Sequence, residues 1–193
     1  MRGKIGNKPK LAAVEAEVVT HVKDTPNLGT ALRLAGPSCS SGYRKPDVHF
    51  AEDNGDNFEN ALEHAKPSGN LDFARALSQA VNDLIGPQKA ASGKSKSVYL
   101  FVGGRDTCSS RPVEVVKQAL HDLRPYKDVE LTLKFVGIKV PPEVREILRA
   151  TRKEAKKLGY DAAVVYANKP SDLDDVFPEG GGRPSRDQYN KSD

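Results

Sequence analysis

The sequence predicts an α/β fold in which a doubly wound, mostly parallel sheet carries helices on both faces. Three observations carry this. The run Val98-Tyr-Leu-Phe-Val102 is unbroken and apolar, and it stops at Gly103-Gly104. A strand apolar on both faces belongs inside a parallel sheet covered by helices. From Ser97 onward, strand-length and helix-length segments alternate, as βαβ units with right-handed crossovers do. Finally, the Gly-rich turn after Val102 lies at the carboxyl edge of the sheet, where open α/β folds keep their ligands.

Each element has its own signal. Leu11, Val14, Val18 and Val22 recur at helical spacing, so Pro9 to Lys23 reads as an amphipathic helix with proline in its first turn. Residues 30–35 form a short strand ended by Gly36-Pro37, and a second short strand is expected at 47–50. A weak helix covers 57–66. Pro67-Ser-Gly69 breaks the chain, and a helix over 71–85 follows with Leu71, Ala74, Leu77, Val81 and Leu84 on one face. The strand at 97–102 leads to a helix at 112–123 lined by Val113, Val116, Leu120 and Leu123. A strand at 129–138 alternates Val129, Leu131, Leu133 and Phe135. A helix at 142–158 opens after Pro141-Pro142, turns Val144, Leu148, Thr151, Ala155 and Leu158 inward, and stops at Gly159. A strand at 162–166 and a short helix from Ser171 to Phe177 complete residues 1–177 as one domain. The tail 178–193, rich in Gly, Pro and charge, is expected to be disordered.

Composition narrows the function classes. With 193 residues, 37% hydrophobic and 29% charged, the chain reads as one soluble globular domain. No apolar run approaches the ~20 residues of a membrane span, and the basic start lacks the apolar segment of a secretory signal. The compartment stays open: cytoplasmic as written, extracytoplasmic if the N-terminus is incomplete. The net charge of +4 is a mild excess. Its clusters, Arg2 to Lys10 and Arg145 to Lys157, have no interleaved aromatics, so they read as solvated faces and no nucleic-acid partner is expected. His21, His49, His64 and His121 are scattered, and no catalytic set can be assembled.

Taken in order, Pro67 to Leu77, Val98 to Cys108, Leu133 to Val140 and Glu154 to Leu173 are similar to segments of von Willebrand factor A domains of the bacterial kind. Val98 to Cys108 resembles the family's strand and Val-Thr-Asp-Gly-x-x-Thr-Cys turn, and Leu133 to Val140 its Val-x-x-Val-Gly-Ile/Phe-Gly-Val strand. Glu154 to Leu173 resembles its closing helix, strand and helix, and Pro67 to Leu77 its Pro-x-Gly-x-Thr-x-Leu-x-x-Ala-Leu segment. The resemblance implies a Rossmann-like fold and a divalent cation held by oxygen ligands at the sheet's carboxyl edge. In the family those ligands come from an Asp-x-Ser-x-Ser motif after the first strand, a Thr, and an Asp after the fourth strand. This chain departs at all three places. Gly103 stands where the Asp is expected, Asn70 where the Thr is expected, and the serine motif is absent. Met1 matches the methionine that closes that motif, so the reading expects a domain lacking its central first strand, truncated at the N-terminus. That strand would lie between residues 30–35 and 97–102, and the unpaired edges on either side of it could drive self-association.

The expected function is a non-enzymatic, A-like protein-binding module whose metal site is degenerate, holding Mg²⁺ or Mn²⁺ weakly at most and needing no cofactor. Its ligand face comprises Asn70, Asp72, Gly103, Arg105, Asp106 and Ser109. Asn70 serves equally well as the N-cap of the helix at 71–85. The alternative is a small α/β enzyme or nucleotide-binding protein that uses Gly103-Gly104 as a phosphate cradle. Cys39 and Cys108 both follow strands; they allow one disulfide or two thiols, and the sequence favours two thiols.

Overall fold

Alternation of apolar strands with amphipathic helices gives the structure its frame. The structure, a computed structural model, describes residues 3–34, 39, 45–66, 72–85, 95–108, 111–122 and 130–177. In chain order its elements are β1 (Lys4–Ile5), β2 (Lys8–Pro9), α1 (Lys10–Asp24), β3 (Thr30–Leu32), β4 (Val48–Ala51), α2 (Gly55–Glu63) and α3 (Phe73–Ile85). Then follow β5 (Ser95–Val102), α4 (Pro112–Asp122), β6 (Glu130–Ile138), α5 (Pro142–Lys157), β7 (Asp161–Ala167) and a 3₁₀ turn at Pro170–Asp172. The expected strands and the longer helices stand within two residues of their expected bounds where described, except that β3 ends at Leu32. Asn70, Ser109 and the tail 178–193 lie outside the described residues.

Strands β5, β6 and β7 form a parallel sheet in that order, with Val98 opposite Leu133 and Leu133 opposite Ala162. Two cores sandwich it. On one face Val98, Val102, Leu133, Phe135 and Ala162 pack with Leu77 and Val81 of α3, Val116 and Leu120 of α4, and Val144 and Leu148 of α5. On the other face Val136, Ile138 and Ala167 pack with Val14, Val18 and Val22 of α1. Burial of this kind contributes about 25 cal/mol per Å² of apolar surface, so the two cores account for the sheet's position between helices. Gly137 lets α5 approach. A Cβ there would lie 2.8 Å from Val140 Cγ2 and 3.2 Å from Leu148 Cδ1.

The structure corrects the expectation in one place, the second below, and adds to it in two. First, β3 and β4 form their own antiparallel pair, with Leu32 opposite Val48, and are not hydrogen-bonded to the parallel sheet. The strand that the resemblance puts between β3 and β5 is not among the described elements. Second, the residues from Ser171 to Phe177 do not make an α-helix. Leu173 N donates to Pro170 O and Val176 N to Leu173 O, three-residue closures that set Leu173 and Val176 into the core instead. Third, the start of the chain is a hairpin: β1 and β2 pair across Gly6-Asn7, Gly6 takes φ +57°, and Ile5 is wholly buried.

Candidate functional site

The candidate ligand face is the turn after β5, from Gly103 to Cys108, with the segments that reach it. Its most informative side chain is one the sequence reading did not select. Lys10, the first residue of α1, is only 7% exposed. Its ammonium donates to Gly103 O at 3.0 Å and to Lys139 O at 3.2 Å. Lys139 presents that carbonyl from a left-handed conformation, φ +44°. Burial, and then the neighbouring charge of Lys139, push the Lys10 ammonium below its ordinary pKa. A protein cation therefore occupies the carboxyl edge of β5 and β6, tying α1 to both turns.

Asp106 faces inward to the scaffold. Its carboxylate accepts from Phe73 N at 3.1 Å and Ala74 N at 3.4 Å at the start of α3, and from Cys108 N at 2.9 Å. The first N–H groups of a helix have no partner within it, and an acid there also meets the positive end of the helix dipole. Asp72 completes this start: its side chain accepts from Arg75 N at 3.0 Å and its carbonyl from Ala76 N. The N-cap is thus Asp72, not the Asn70 of the sequence reading. Arg105 is exposed and pairs with Glu143 in the first turn of α5.

Cys39 and Cys108 are joined by a disulfide with their Cα atoms 5.2 Å apart. This replaces the two thiols favoured from sequence: the turn after β5 and the segment beyond β3 come to one place, within the span a disulfide needs. Of the six face residues, Asp72 and Asp106 converge on the α3 terminus, Gly103 meets Lys10, and Arg105 meets Glu143. Lys10 and Glu143 were missed because a lysine at a helix start and a glutamate in a first turn look like ordinary solvated charges.

These residues do not fit the divalent cation that the resemblance implies. Asp106 is bound to backbone N–H groups, Gly103 has no side chain, and the nearby Gly103 carbonyl already accepts from an ammonium. Among the described residues no group of three His, Cys, Asp or Glu side chains could hold a metal. A concavity between β4 and α2 is lined by His49, Asn54, Asn57, Asn60 and His64 and by no residue of the turn. Asn54 spends its amide on Thr30 O and His49 O, both at 2.8 Å, so this side chain ties the start of α2 to β3 and β4.

Solved structures decide the architecture. The chain matches the SpRpn10 VWA domain with a TM-score of 0.57 at 16% identity, covering 90% of this chain and 87% of that one.

The fold is von Willebrand A-like.

This A-like domain also matches the PilB minor pilin from Streptococcus sanguinis, with a TM-score of 0.65 at 13% identity over 87% of this chain. A point mutant of the same pilin gives 0.66 at 14%. The chain spans about half of the pilin's length, 52%. No family model matches the sequence, and no curated protein matches it. Among the described residues no helix is long and apolar enough to cross a membrane.

Proposed function

We propose that this A-like domain is a non-enzymatic protein-interaction module whose loop face works without a metal ion. The observation that carries the reading is the Lys10 ammonium on Gly103 O. In this reading a fixed lysine supplies positive charge at the sheet edge, and the turn around Asp106 is a braced contact surface. The disulfide, the Asp106 bonds to α3 and the Arg105–Glu143 pair support that bracing, since each ties the turn to a different neighbour. Likeness to a VWA domain and to a minor pilin supports a role in protein contact. The separation of β3 from β5 supports a further part of the reading, that a strand from elsewhere belongs between them. A thermal-shift series with adenosine and guanosine nucleotides and with flavin mononucleotide tests the non-enzymatic claim. No shift is expected. Saturable stabilisation abolished by Gly104→Asp would turn the reading to the phosphate cradle.

A further inference from the structure

Helix α5 separates its charges onto two flanks. Val144, Leu148, Thr151 and Ala155 are buried against the sheet. At 3.6 residues per turn, Glu143 and Glu154 fall to one side of that stripe, and Arg145, Arg149, Arg152 and Lys156 to the other. The acidic flank turns toward α4. Glu154 lies 3.9 Å from Lys117 of α4 and 2.6 Å from Lys157, and Glu143 takes Arg105. The basic flank turns toward β7, with the guanidinium carbons of Arg145 and Arg149 5.0 and 5.7 Å from the centre of the Tyr166 ring. From Arg145 to Lys156 the stripe is about 16 Å long. Arg145 also donates to Asn168 Oδ1 at 3.0 Å, but among the described residues none of the four cations has a carboxylate partner.

Beside this stripe runs the last strand of the sheet. β6 pairs with one edge of β7, and among the described residues no strand pairs with the other. Edge strands are ordinarily blunted by proline, bulges or inward charges. The strand Asp161-Ala-Ala-Val-Val-Tyr-Ala167 has no proline, its pairing has no bulge, and no charge follows Asp161. Ala162, Val164 and Tyr166 belong to the core on the α5 side. A strand added along β7 would set every second side chain on that same side, next to the basic flank.

We propose that the outer edge of β7 and the basic flank of α5 form a docking surface for an extended acidic segment of a partner protein. The segment adds as a strand to β7 and places carboxylates at alternate positions against Arg145, Arg149, Arg152 and Lys156. This surface lies outside the loop face and does not depend on the reading of that face. A second copy is a poor occupant, because β7-to-β7 pairing would continue the sheet and bring the two basic stripes together on one side. Nucleic acid is also the weaker fit. The Tyr166 ring is covered by guanidinium groups, and its hydroxyl donates to Arg145 O at 3.0 Å, so it offers no stacking platform.

The test is fluorescence anisotropy with the full chain and three labelled probes: a synthetic peptide alternating glutamate and valine, one alternating glutamate and proline, and oligothymidylate. Arg149→Glu/Lys156→Glu changes two exposed side chains, and circular dichroism melting checks that it folds. Saturable binding of the glutamate–valine peptide is expected, weakened on the order of tenfold both in the variant and with the proline peptide, which cannot extend a ladder. Absence of saturable binding, equal binding of the proline peptide, or indifference to the charge reversal overturns the proposal. Tighter binding of oligothymidylate than of the peptide, lost in the same variant, overturns it in favour of a nucleic-acid surface.

Discussion

Lys10 Nζ stands 3.0 Å from the carbonyl oxygen of Gly103, across 93 residues of sequence. One side chain from the first turn of α1 thereby holds the turn that follows β5 at the carboxyl edge of the sheet. Replacing the lysine with methionine keeps the unbranched stem and removes the donor. Lys10→Met should cost about 1–3 kcal/mol, because the carbonyls of Gly103 and Lys139 lose a charge-assisted partner in a buried place. Urea unfolding of the variant beside the parent chain measures it, and an unchanged midpoint would show the contact to be idle.

Asp106→Ala should also destabilise, by about 1–2 kcal/mol, through α3. The effect is directional. Amide exchange at Phe73 and Ala74, whose N–H groups the carboxylate accepts, should accelerate well before that at Val81 in the middle of the helix. Equal acceleration along the helix would point to global loosening instead of a lost cap.

The disulfide closes a separation of 69 residues. A loop of that length gives ~4 kcal/mol by the chain-entropy relation. Reduction, or Cys39→Ser/Cys108→Ser, should lower the unfolding free energy by an amount of that order, readable in guanidinium. A non-reducing mass that retains two free thiols would contradict the bond directly.

Lys134 supplies a pH dependence. Its ammonium is buried on the α1 face, donates to Val176 O and lies 5.5 Å from the centre of the Tyr99 ring. Burial lowers its pKa from 10.5 to about 8, while Asp161 pulls the other way. The folded chain therefore releases this proton before the unfolded chain does. Stability should rise with pH from about 8 to about 10.5, by on the order of 3 kcal/mol, as the cost of burying the charge is relieved. Lys134→Met should flatten that rise, and unfolding curves across the alkaline range will show whether it does.

Much of the scaffold was legible because it depends on local pattern. Val98–Val102 announces a two-sided strand, and the stripes of α1, α4 and α5 recur at helical spacing. The parts that escaped depend on distant partners. Asp106 reads as a turn residue until α3 arrives 33 residues away to receive its carboxylate. Lys10 sits among other lysines, and nothing beside it in sequence says that it is the one to be buried. Ile5 and Lys8 flank Gly6-Asn7, a two-residue hairpin signal, but strands of two residues leave no alternation to detect. The antiparallel β3–β4 pair escaped for a similar reason: each strand is short, and the polar stretch between them hides the reversal. At the candidate site, the glycine turn after Val102 was visible as residue identities, whereas the cation facing Gly103 was a product of folding.

The proposed loop face is one that works without a divalent metal. Isothermal titration of Mn²⁺ into the oxidised full chain at neutral pH addresses it most directly. No saturable heat is expected, in the parent chain and in Lys10→Met alike, because among the described residues the nearby carboxylates are engaged, Asp106 by backbone N–H groups and Glu143 by Arg105. Stoichiometric binding at micromolar affinity or tighter in the parent chain would contradict it.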